Sequence, residues 1–189
     1  MISSALQFTC DVMGQFLKNR LGLDENKVLL NNLIEGNGSL PQENQNKVIV
    51  SLINIEKETS RPFYNRNQQV STEKYADTNL SERYNLDILI SANFENYSET
   101  LKFLDEVLLF FQVNNSFDSS TFSKMPEGIP RLEFEIEKIT YHQMQSLWTA
   151  MGAKYQPSVI YKMRLISIQA NESNRFIPVI KKTKVKAIS

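Results

Sequence analysis

The stretch that most constrains the fold is residues 84–113, where an apolar period of two gives way to a helical one. Tyr84, Leu86, Ile88, Ile90, Ala92 and Phe94 alternate with Asn85, Asp87, Leu89, Ser91 and Asn93, the pattern of a strand with one core face and one largely polar face. From about Tyr97 to Val113 the repeat is helical, with Leu101, Leu104, Leu108 and Phe111 on one stripe and Phe103, Val107 and Phe110 beside it. That arc is wider than a surface helix needs. Leaving such side chains wet forfeits roughly 1.5–3 kcal/mol each, so the helix is expected either to be sandwiched in the fold or to face a neighbouring subunit in part.

Other segments fill in a mixed chain. Ile2, Leu6, Thr9, Met13, Phe16 and Leu17 mark an amphipathic helix over 2–21, ended near Gly22. A short strand is expected within 27–34, followed by turn chemistry at Gly36-Asn37-Gly38-Ser39. Residues 47–56 are apolar on both faces, as in a strand buried on both sides. Residues 57–83 hold few large apolar side chains and read as a long loop, a candidate contact arm. After a second loop over 114–130, Leu132, Phe134 and Ile136 alternate with Glu133, Glu135 and Glu137. Thr140 is placed to cap a helix over 141–152 whose core stripe is Met144, Leu147, Trp148 and Met151. A strand from about 159 to 169 sets Tyr161, Met163 and Leu165 on one face and Lys162 and Arg164 on the other. The expected fold class is α+β, a mixed, largely antiparallel sheet with helices packed on it. Residues 1–170 would form this domain and 171–189 an extended basic C-terminal arm.

Composition narrows the chemistry. The chain has 189 residues, one cysteine and one histidine, which excludes an internal disulfide and leaves little for a zinc site or histidine-based catalysis. No cofactor is expected. The net charge is zero, a poor basis for general nucleic-acid binding. Charge is uneven, however: residues 1–130 hold 11 Lys+Arg against 17 Asp+Glu, and 131–189 hold 10 against 4. Either the two segments neutralise each other or the chain meets partners of opposite sign. No run of about 18 apolar residues and no secretory leader is visible, so neither membrane insertion nor export through a leader is expected; synthesis and assembly are expected in the cytoplasm.

No phosphate-binding glycine loop is present. Ser71-Thr72-Glu73-Lys74 matches a Ser-x-x-Lys pattern but lacks companion motifs and lies in a polar stretch. His142 has no metal-ligand partner at helical spacing, and Cys10 reads as a small buried hydrophobe. The three glutamates of 133–137 would share a strand face, where a solvated or salt-bridged role competes with cation binding.

Two stretches carry a resemblance. Residues 84–118, the strand and helix above, and residues 147–165, Leu-Trp-Thr-Ala-Met-Gly-Ala-Lys-Tyr-Gln-Pro-Ser-Val-Ile-Tyr-Lys-Met-Arg-Leu, resemble the cap or tail-terminator family of contractile injection systems, phage-tail-like particles. The N-terminal helix and the Val48–Ile55 strand are similarly placed, so the resemblance covers most of 1–169. It implies a tail-terminator-like, non-enzymatic protein with no cofactor that forms a homo-hexameric ring. Its implied partners are the inner-tube and sheath proteins, whose polymerisation it ends, anchoring the last sheath ring to the tube and becoming part of the particle. Trp148, Gly152, Tyr155, Pro157, Ser158 and Tyr161 match the family pattern and are read as shaping a helix–turn–strand corner. Candidate subunit or partner contacts are Phe63 and Tyr64 in the loop, Phe103 and Phe110 on the helix, and Phe176, Ile177, Val179, Lys181, Lys182 and Lys184 in the arm. The alternatives are an adaptor or binding module of a phage tail or type VI-like secretion apparatus, and a hydrolase built on Ser71 and Lys74.

Overall fold

The computed structural model describes residues 1–58, 67–71, 74–78, 82–168 and 173–178, with side chains over 1–58 and 83–164. Helix α1, Ile2–Leu21, ends where Gly22 takes φ 64° and returns its N–H to the Lys18 carbonyl, a left-handed cap that glycine adopts without a Cβ penalty. Strands β1 (Val28–Leu30), β2 (Lys47–Lys57), β3 (Asn67–Ser71), β4 (Lys74–Thr78) and β5 (Glu82–Asn93) follow. Then come α2 (Tyr97–Val113), β6 (Ser116–Asp118), β7 (Arg131–Ile136), α3 (Tyr141–Ala150), β8 (Ser158–Ile168) and β9 (Ser173–Pro178).

The main sheet has six strands in the order β1-β2-β5-β8-β7-β6. Only the short β1–β2 pair is parallel; the other pairs of this sheet are antiparallel. The fold is therefore the expected mixed α+β class.

One sheet face meets α1 and α2. Val48 and Val50 of β2, Leu86, Ile88 and Ile90 of β5, Met163 of β8 and Leu132 of β7 are buried against Met13 and Leu17 of α1 and Val107 and Phe110 of α2. Aromatic rings fill the middle: Phe110 and Phe117 lie 6.1 Å apart, and Phe111 stacks on Tyr161 at 4.0 Å. Among the described residues the opposite face is covered at one end, by α3, where Trp148 joins Leu33, Ile49, Leu89 and Ile160 in a second cluster.

Several expectations change. The face of β5 read as largely polar buries Leu89 and Ser91 completely, because α3, distant in sequence, returns to cover it. Strand β2 is buried on both sides only over Val48–Ser51; Leu52 and Ile55, opposite Ile88 and Leu86 on the α1/α2 face, are 36% and 47% exposed. Helix α2 is not sandwiched. Phe103, Val107, Phe110 and Phe111 face the core, while Leu101 and Leu108, expected on its buried stripe, are 44% and 42% exposed. The stretch 57–83, expected as a loop, contains β3 and β4, which pair with β9 as a second, three-stranded sheet in the order β3-β4-β9. Backbone pairing needs no apolar alternation, so this sheet left little signal in the sequence.

Candidate functional site: a structural corner and a charged sheet face

The corner between α3 and β8 is built by local chemistry. Thr140 Oγ1 accepts from the Gln143 N–H at 3.3 Å, and Gln143 Oε1 accepts from the Thr140 N–H at 2.8 Å, a reciprocal capping box that satisfies two otherwise orphaned donors. At the other end Gly152, φ 68°, donates to the Thr149 carbonyl and Ala153 donates to that of Trp148, at 3.0 and 3.3 Å. This double closure requires a left-handed residue at Gly152. Trp148, 3% exposed, donates its indole N–H to Met144 Sδ at 3.2 Å and meets the Tyr155 ring edge-on at 5.6 Å.

The chain then enters the sheet. The Pro157 carbonyl accepts from the Ala92 N–H at 3.2 Å, and Ser158 opens β8 opposite Ser91. Tyr161, three residues on, faces the aromatic core, where burial raises its phenol above the ordinary tyrosine range. Trp148, Gly152, Tyr155, Pro157, Ser158 and Tyr161 thus lie along one continuous helix–turn–strand segment, with Trp148 packed on one face of the sheet and Tyr161 on the other.

Beyond the cover of α3, the same sheet face turns ionic. Lys162 of β8 sits among carboxylates from two strands and a loop end, Nζ lying 2.9 Å from Glu137, 3.1 Å from Glu56 and 3.8 Å from Asp87. The Glu137 hydrogen bond, and after it that of Glu56, holds the ammonium protonated well above the ordinary lysine range, against the opposing effect of burial. Next to it Arg164 pairs with Glu135 at 2.6 Å and Arg131 with Glu133 at 2.9 Å. The glutamates of 133–137 are therefore salt-bridged within the chain. Among the described residues no cluster of three or more His, Cys, Asp or Glu side chains is arranged to hold a metal ion.

The expected contact residues fare differently. Phe103 and Phe110 are 4% and 0% exposed, which corrects their placement on a contact surface: their rings fill the core, and α2 presents Tyr97, Leu101 and Leu108 outward instead. Phe176 and Ile177 lie on β9, with backbones opposite Ala76 and Tyr75. Phe63, Tyr64, Val179, Lys181, Lys182 and Lys184 lie outside the described residues. The Lys162 cluster was missed in the sequence; the alternation of Lys162 and Arg164 was visible, but not their partners on other strands.

The other candidates for chemistry are simply placed. Ser71 and Lys74 are register partners on β3 and β4. His142 is exposed, with its Nδ1 3.2 Å from Ser146 Oγ. Cys10 is 1% exposed, and burial first, then Asp11, pushes its thiol up to about 12. Among the described residues no helix is long and apolar enough to cross a membrane.

A six-stranded sheet with two helices on one face and a third at the corner defines a fold shared with tail terminators. The likeness extends over all of the chain for the sheath/tube terminator of the PVC extracellular contractile injection system in its extended state, with a TM-score of 0.67 at 13% identity. It covers 94% of the chain for the tube-terminating cap of the anti-feeding prophage, with a TM-score of 0.60 at 10% identity. The chain spans 64% and 59% of the lengths of these two proteins. Residues 14–182 match the Pvc16 N-terminal domain family, and the chain belongs to it. No curated protein matches the sequence.

Proposed function

We propose that this chain is a structural terminator of a contractile injection system, a ring-forming cap that ends growth of the inner tube and sheath and anchors the last sheath ring. The observation that carries this reading is the likeness over the full chain to a protein described as a sheath/tube terminator, in a chain that belongs to the Pvc16 N-terminal domain family. A helical polymer presents an unsatisfied face at its growing end, and a closed ring covers it with one complementary surface while its other surface templates nothing further. Such a task asks for shaped surfaces rather than bond-making. The exposed α2 residues Tyr97, Leu101 and Leu108 supply apolar area for contacts between subunits, and six copies are the number the family resemblance implies. The chain would assemble in the cytoplasm and leave as part of the particle.

Deleting the gene and imaging the particles by negative stain tests the reading. Overlong or unstable tubes and sheaths are expected; particles of normal length and stability overturn it. A second reading, an adaptor elsewhere in such a particle, is favoured by the partial coverage of the two terminators. Labelling the chain and locating it along the particle separates the two.

A further inference from the structure

A closed ring of more than two copies cannot be built from one patch that meets itself, because a two-fold contact is used up at the dimer; it needs two different surfaces that fit each other. Helix α2 supplies one. Its Tyr97, Leu101 and Leu108 are 66%, 44% and 42% exposed. The Arg20–Glu106 ion pair, at 3.0 Å, marks the side of α2 that faces α1, and at 3.6 residues per turn the three apolar residues lie about 140–180° around the helix from Glu106. They form a stripe about 16 Å long on the flank turned away from α1.

The second surface lies on α1. A groove of about 690 Å³ runs along this helix from Ser4 to Asn19, with Lys124 and Pro126 as its far wall; at 1.5 Å per residue it is about 22 Å long. Phe8, Val12 and Phe16, four apart, form its apolar floor and pack on the core beneath. The rim is already ordered: Gln7 donates to Asp11 at 2.9 Å and Gln15 to Asn19 at 2.8 Å. With those amides engaged, the groove offers a small polar ligand few convergent groups, whereas an entering row of apolar side chains meets a rim that costs little to order.

The two surfaces share no residue, and the stripe is short enough for the groove. Their charges also match. Asp105 borders the stripe between Leu101 and Leu108, and Lys124 stands on the groove wall; both are exposed, and neither has an ion pair or side-chain hydrogen bond among the described residues.

We infer that the α2 stripe of one copy seats in the α1 groove of the next, with Asp105 against Lys124. This deepens the ring reading and rests on it: the same stripe-in-groove contact, repeated head to tail, closes the ring.

Full-length chains carrying Asp105→Cys or Lys124→Cys, each with its own tag, are co-expressed and treated with a short bismaleimide; Cys10 is buried and stays out of the reaction. Both sites are exposed, so neither change disturbs the fold. A cross-link joining the two tags is expected, and its yield should fall about tenfold when Leu101→Ser and Leu108→Ser are added to the Asp105→Cys chain. Charge reversal gives a second readout: Asp105→Lys or Lys124→Asp alone should lower the ring fraction about twofold to fivefold, and the two together in every chain should restore it. Rings of wild-type mass that lack the cross-link, a cross-link that ignores the leucine replacements, or a double reversal that assembles no better than the single ones overturns the seat and leaves the ring reading standing. A cross-link that joins two Asp105→Cys chains instead marks a two-fold contact and also overturns it. A chain that stays single even with tube ends added removes the ring reading by its mass, and the seat with it.

Discussion

Glu135 and Lys162 face each other in register on β7 and β8, yet they do not pair. Lys162 turns to Glu137 at 2.9 Å, and Glu135 takes Arg164 at 2.6 Å. The diagonal arrangement leaves Lys162 as the shared cation of Glu56, Asp87 and Glu137. Replacing it with methionine removes charge-assisted hydrogen bonds and leaves half-buried acids facing one another, a loss of about 1.5–3 kcal/mol in urea unfolding at pH 7. The pH dependence has a definite sign. The folded ammonium titrates above the ordinary lysine value, so its contribution is complete below the unfolded value, about pH 10.4, and fades as pH rises through the folded one. The wild-type chain should lose more stability than Lys162→Met between pH 9.5 and 12, a range set by that reference value.

Helix α2 has a buried and an exposed apolar side, so substitutions on it separate fold stability from the subunit contact proposed above. Phe110→Ala opens a cavity beside Phe16, Phe111 and Phe117 and should cost about 3–5 kcal/mol in chemical denaturation. Leu101→Ser and Leu108→Ser, at exposed positions, should change monomer stability by no more than about 0.5 kcal/mol while lowering the ring fraction in analytical ultracentrifugation. Unchanged assembly would remove α2 from the subunit contact.

At the α3–β8 corner, a methyl group on Gly152 would meet only open space, but the residue holds φ 68°. Gly152→Ala should therefore destabilise by about 1–2 kcal/mol through backbone conformation alone, and Gly152→Asn by less. Equal losses in thermal unfolding would mean that the left-handed geometry is not the cause.

Cys10 is both inaccessible and held as a thiol, its pKa pushed up to about 12. At pH 8 a disulfide reagent should modify it at least a hundredfold more slowly than in 6 M guanidinium, because the thiolate is the reactive form. Rapid native labelling would show that α1 opens away from the sheet.

What the sequence disclosed follows from the range of the interactions. Helix α1 and its Gly22 stop, the span of α2 and the Thr140 cap depend on residues a few positions apart, and all were legible. Which side of α2 is buried was not, because Leu101 and Phe103 are equally apolar and only the placement of α1 and β5 decides between them. The burial of Leu89 depends on Trp148, which arrives several elements later. The Lys162 cluster draws on Glu56, Asp87 and Glu137 from separate parts of the chain, so no local spacing announces it. The end of α3 at Gly152 was legible because the stop and the apolar stripe before it lie within one short segment.

Both borders of the main sheet are short. Strands β1 and β6 have three residues each, about 10 Å of ladder, and β2 carries a register break between Leu52 and Asn54. A frayed, interrupted margin is a poor template for stray strands from other molecules. Newly made copies can therefore accumulate side by side without seeding fibres, which leaves contacts between molecules to side-chain surfaces.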